Sequence, residues 1–140
     1  MTELKNLITP ELSKTISISG PKYGKDKALE LCTSHIFVLP TKNDCFPLSI
    51  LEAMAAGLAV ISTNEGAISD IVENEVTGDI LTSPSPEELA ETMIKYITNR
   101  DYSTSCSQMS HKKFLGNYTQ TIFEENLAVA LERLTQRSKS

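Results

Sequence analysis

The sequence contains no run of 18 or more apolar residues, and its opening MTELKNLITP has no apolar stretch of secretory type. A membrane span and a signal sequence are therefore not expected. Cysteine is scarce: Cys32, Cys45 and Cys106 are odd in number and show no C-x-x-C spacing, while His35 and His111 lack partners at metal-ligand spacing. Neither a disulfide framework nor a structural metal is expected, and a reducing, cytoplasmic location follows, at most peripheral to the inner face of a membrane. Excess positive charge is also lacking. A net charge of −5 excludes a broad footprint for nucleic acid, although Lys5, Lys14, Lys22, Lys25 and Lys27 crowd the amino-terminal segment, either as a solvated face or as a phosphate contact. The usual phosphate and nucleophile motifs fail as well. In GPKYGK three residues separate the glycines and no Ser or Thr follows the lysine, which breaks the G-x-x-x-x-G-K-[ST] pattern, and G-x-G-x-x-G and G-x-S-x-G are absent.

What remains is a 140-residue chain with 40% apolar and 22% charged residues, enough for one globular unit with a core of its own. Four β-like runs, TISIS (15–19), HIFVL (35–39), AVIS (59–62) and DILT (79–82), alternate with the helical patterns KDKALELCTS, PLSILEAMAA and AISDIVEN. That alternation predicts an α/β fold: a Rossmann-like parallel sheet of about four strands with helices on both faces. The unbroken Ile36-Phe37-Val38-Leu39 run suits a strand buried on both sides. After residue 84 the pattern becomes helical, with Ser83 or Ser85 as cap and Pro86 in the first turn. A last helix, about 119–135, repeats Phe123, Leu127, Leu131 and Leu134 at helical spacing, so one stripe should be buried; residues 101–113 read as a polar helix or a loop, and QRSKS as a frayed end. The chain divides into 1–100, a partial Rossmann-like domain, and 101–140, a helical segment packing on it.

In an open parallel sheet the loops following the strands share one edge, where ligands bind. Two carboxylates, Asp44 and Glu52, flank the Phe46-Pro47 step and the helix start there. Helix rise separates them by on the order of 10 Å. An ionised carboxylate offers two acceptor oxygens to a diol, and the helix amides between them offer donors to a phosphate. A diphosphate flanked by two diols is a nucleotide sugar. Asp44 could equally cap the helix with Asn43, and Glu52 could be a helix-surface charge. Gly57 reads as the residue that ends the helix after Ala56.

The run HIFVLPTKNDCFPLSILEAMAAGLAVISTNEGAISDIVENEVTGDIL resembles the carboxyl-terminal, donor-binding domain of retaining glycosyltransferases of the GT-B fold, family 4 type. The likeness extends from about Lys14 to Ile97, and its form resembles bacterial enzymes of surface polysaccharide synthesis. The family's paired acids fall on Asp44 and Glu52, which are separated by seven residues. The resemblance implies that Asp44 meets donor-sugar hydroxyls and Glu52 the ribose hydroxyls, as the two catalytic-site acids. It implies too that Phe46, Pro47, Leu48 and Ser49 contact sugar and phosphate, and that Gly20 and Pro21 lie beside the base. It implies a nucleotide-sugar donor substrate and no metal or other cofactor. Four positions depart from the family pattern: Asp44 for Glu, Ala59 and Ser69 for Pro, and Asp79 for Phe, the last three expected to affect packing.

The resemblance also implies an incomplete GT-B carboxyl-terminal domain followed by helices. In the order 3-2-1-4-5-6 the present strands are numbers three to six, and two strands, the basic residues that neutralise the diphosphate and an acceptor domain lie elsewhere. TISIS then either pairs directly with HIFVL or stays loose, leaving an edge that favours self-association or a partner chain. The expected function is glycosyl transfer with retention in polysaccharide or glycoconjugate synthesis, this fragment being inactive alone. The alternatives are half of a split enzyme, a non-catalytic interaction module of the same fold, and a GT-B sugar-nucleotide epimerase.

Overall fold

The computed structural model describes residues 7–137, so Lys5 and the last three residues of QRSKS lie outside it. After a 3-10 turn at Leu12–Lys14 the order is α1 (Gly24–Thr33), β1 (Ile36–Leu39), α2 (Leu48–Ala55), β2 (Ala59–Thr63), α3 (Ile68–Ile71), β3 (Gly78–Leu81), α4 (Pro86–Thr98), α5 (Arg100–Asn117) and α6 (Gln120–Arg137). The strands form one parallel sheet ordered β1-β2-β3, with Ile36 opposite Ala59 and Val60 opposite Gly78.

The sheet has three strands, not four. Residues 16–20 adopt no strand, although Thr15-Ile16-Ser17-Ile18-Ser19 alternates as a strand should. A strand needs a neighbour for its amides and carbonyls, and among the described residues β1 pairs through β2 alone, so this segment stays unpaired with Ile16 nearly half exposed.

Strand alternation divides the core into two layers. Val60, with Phe37, Leu39 and Ile80, faces α2, α3 and the end of α5, packing on Ile50, Met54, Ile68 and Ile71. Ala59 and Ile61, with Ile36, Val38 and Leu81, face α4 and the first half of α5 through Tyr96 and Cys106. Both faces of β2 are therefore covered, and all five of its residues are buried. That explains why its apolar run is continuous rather than alternating.

The helix ends follow their sequence signals. Ser85 caps α4 by accepting from the Glu88 amide at 3.1 Å, with Pro86 at the first position. Glu88 does not close back on Ser85. Its carboxylate instead accepts from the Thr82 amide and hydroxyl and the Ser83 amide at 2.8–2.9 Å, pinning the β3–α4 turn. Those hydrogen bonds, Thr82 foremost, hold its pKa below the usual carboxylate range. Residues 101–113 are helix, inside α5, whose start is capped by Asn99 accepting from the Tyr102 amide. Gly57, at φ +78°, ends α2 as expected.

Two expectations are corrected. The apolar stripe of α6 is not buried: Phe123, Leu127, Leu131 and Leu134 are all 46–64% exposed. Asp79 is not a packing residue. It is buried on β3, accepting from Tyr102 Oη at 2.7 Å and Lys95 Nζ at 3.1 Å, with Lys95 also 4.0 Å above the Tyr102 ring. A buried carboxylate on this edge strand survives because a cation and a phenol satisfy both its oxygens.

Candidate functional site

The carboxyl edge of the sheet brings together the loops after β1 and β2, and buried polar groups fix their spacing. Ser62 Oγ donates to the Leu39 carbonyl at 2.8 Å and Thr63 Oγ1 to the Thr41 carbonyl at 2.5 Å. Further out, the Ala67 amide donates to the Cys45 carbonyl at 2.8 Å. Gly66 makes that approach possible. It sits at φ +53°, and a side chain there would collide with the Cys45 carbonyl and lie 2.6 Å from the Asp44 carbonyl. The Asp44 loop is thus held by the next loop along the sheet.

This loop delivers the chain into α2. Pro47 is buried and stands at the N-cap rather than at the first helical position, with the helix starting at Leu48. The Ile50 amide donates to the Pro47 carbonyl at 3.0 Å. No side chain caps the helix, so neither Asp44 nor Asn43 serves the capping role weighed from sequence. The Leu48 and Ser49 amides are left as outward donors at the positive end of the helix dipole. Leu48 and Phe46 are exposed and Ser49 and Asp44 half-buried, so this terminus faces solvent.

Glu52 lies one turn further on, half-exposed, and Oε1 accepts from Lys27 Nζ of α1 at 2.7 Å. The two residues border a cleft of about 340 Å³ between α1 and α2, lined otherwise by Ala28, Leu31, Cys32 and the Ala55-Ala56 pair. Gly20 and Pro21 lie elsewhere, in a cavity of about 390 Å³ with Tyr23, Leu29 and the Lys22–Glu30 ion pair. The two cavities share no lining residue. The structure therefore groups Asp44, Phe46, Pro47, Leu48, Ser49 and Glu52 around one helix start and sets Gly20 and Pro21 in the segment before the neighbouring helix α1.

Sequence reasoning missed Lys27, the tie through Thr41 and Thr63, and the role of Gly66. Lys27 is 25 positions from Glu52, a separation that carries no local signal. Gly66 could be suspected only as a glycine beside a glutamate in a loop.

The family profile of "Glycosyl transferases group 1" matches residues 2–113. Among curated proteins, sucrose synthase 2 of Arabidopsis thaliana is 27% identical over 99 residues, covering 68% of this chain and 12% of its own length. The amylovoran biosynthesis glycosyltransferase AmsK of Erwinia amylovora is 25% identical over 139 residues, covering 94% of this chain and 34% of its own. Among solved structures, the Anabaena protein HepE in complex with UDP superposes with a TM-score of 0.84 at 20% identity, over 94% of this chain and 36% of that one. The chain thus spans about a third or less of the length of these relatives. With a parallel sheet covered on both faces in the manner of a GT-B domain and a family match across most of its residues, the chain belongs to the glycosyl transferases of group 1.

Proposed function

We propose that this chain supplies the donor-binding part of a retaining, family 4 type glycosyltransferase that takes a nucleotide sugar and uses no metal. One observation carries the proposal: an uncapped helix terminus opens at the carboxyl edge of the sheet with Asp44 before it and Glu52 one turn inside it. The Leu48 and Ser49 amides would receive the diphosphate, Glu52 the ribose diol and Asp44 the hydroxyls of the sugar. Gly20 and Pro21, with their cavity on α1, would lie toward the base. UDP bound to HepE, a protein of like fold, supports a nucleoside diphosphate as the recognised group. The acceptor would be a growing polysaccharide or glycoconjugate, in keeping with the naming of AmsK. The remaining diphosphate-neutralising cations, the acceptor domain and transfer itself would belong to the whole protein.

Helix-terminal amides contribute roughly 0.3–1 kcal/mol each at exposed sites, so binding by this chain alone should be weak, with Kd on the order of 1 mM. Titration calorimetry with UDP-, GDP- and ADP-glucose tests the reading. One of the three should bind and Glu52→Ala should abolish it; no binding by any would overturn it. A second reading, an interaction module of the same fold, is favoured by the exposed stripe of α6 and the unpaired side of β1. It predicts no nucleotide binding at all.

A further inference from the structure

Glu52 is not alone on its helix: Lys27 donates to one of its oxygens at 2.7 Å, across the gap between α1 and α2. Helix α1 has no buried residue, so this contact is not a by-product of tight packing between the helices. Both side chains are a little over two-fifths exposed, which makes the pair nearly neutral for stability. Its consequence is orientational. A free surface glutamate rotates about three side-chain bonds and loses that freedom on binding. A glutamate tethered through Oε1 has already lost part of it, and Oε2 remains open as an acceptor.

We propose that Lys27 is a positioning residue that presets the Glu52 carboxylate for a vicinal diol. It would not touch the sugar of the ligand. Lys27 fixes the plane of the carboxylate, so that the hydroxyl pair of a ribose meets acceptors already in place, and it keeps a donor on Oε1 when the diol binds. The cleft supports this assignment: apart from Lys27 and Glu52 its lining carries no charged group, so no other cation borders Glu52 there. The proposal rests on the donor-binding reading given above.

The test compares UDP, GDP and ADP with their 2′-deoxy counterparts by titration against the full chain, for wild type, Lys27→Met and Lys27→Arg. Wild type should prefer the ribonucleotide by about 3- to 10-fold, the factor that one exposed hydrogen bond supplies. Lys27→Met should reduce that preference to less than about 2-fold with an unchanged melting temperature, and Lys27→Arg, which keeps a cationic donor, should restore it. A merely structural role would weaken ribo and deoxy ligands alike and leave their ratio intact. Wild-type preference that persists in Lys27→Met overturns the assignment of Lys27 alone, as does tighter ribonucleotide binding in that variant, which would make Lys27 an obstruction. A wild-type chain that binds no nucleotide, or binds both forms equally, overturns the donor-binding reading and this inference with it.

Discussion

At the scale of single residues, the two acids that bracket α2 and the acid on β3 show how position decides what a carboxylate does. Glu52, half-exposed, has one oxygen engaged by Lys27 and one free to accept. Asp79, buried, has both oxygens used by Tyr102 and Lys95 and nothing left for a ligand. Burial pushes the Tyr102 phenol up to about 12, against the pull of the Lys95 ammonium and with help from Asp79. Desolvation works to lower the Lys95 pKa, but its hydrogen bonds to Tyr102 and Asp79 win and raise it above the usual lysine value. Both groups are raised in the folded state, so their contribution is complete below pH 10, and that of Tyr102 is lost as pH climbs through about 12. Denaturant unfolding should therefore show flat stability across neutral pH and a decline starting near pH 10. Tyr102→Phe should shrink that decline and cost about 1 kcal/mol at pH 7, because one hydrogen bond to Asp79 is lost. An unaltered alkaline decline in the variant would show that Tyr102 does not drive it. The Asp79 network left no trace in the sequence, since Lys95 and Tyr102 lie 16 and 23 positions away on other elements. A lone acid in DILT reads as a misfit until those partners arrive.

At the scale of elements, what the sequence discloses depends on whether an element's partners are local. Helices α2 and α4 were legible because proline, capping serine and apolar spacing act within a few residues, and β2 because a doubly buried strand opens on a continuous apolar run. Residues 101–113 of α5, by contrast, left helix and loop open, and β1, expected to be buried on both sides, is a half-buried edge strand. The TISIS segment has the right alternation and no strand, because pairing is a property of a neighbour and not of the run itself. Helix α6 shows the same division. Its periodicity correctly gives a helix, yet the stripe of Phe123, Leu127, Leu131 and Leu134 meets nothing among the described residues that buries it. Substituting Leu127 and Leu131 together by Ser should therefore change thermal stability by less than about 1 kcal/mol, the range for exposed positions. The same exchange at Ile50 and Ile61, both fully buried, should cost several kcal/mol. A large loss from the α6 pair in a melting experiment would mean that the stripe is covered in solution.

At the scale of the whole molecule, the layout concentrates its chemistry along one edge of a small sheet. The sheet supplies rigidity, buried Ser62 and Thr63 set the spacing of two loops, Gly66 lets those loops touch, and the second loop fixes the one that carries Asp44 into α2. The placing of Asp44 and Glu52 near one helix start could be read from their spacing, whereas the support behind them could not, because it is made of backbone carbonyls from neighbouring loops. No described helix is long and apolar enough to cross a membrane. The family match gives the chain its class, and the uncapped helix start carries the most concrete part of the proposal, that nucleoside diphosphates would bind where the α2 amides and Glu52 meet. The direct measurement is a backbone amide NMR titration of the labelled chain with UDP, GDP and ADP. The account predicts saturable shifts centred on Leu48, Ser49 and Glu52 for at least one of them, absent in Glu52→Ala. Shifts confined to other elements, or none at millimolar nucleotide, would contradict it.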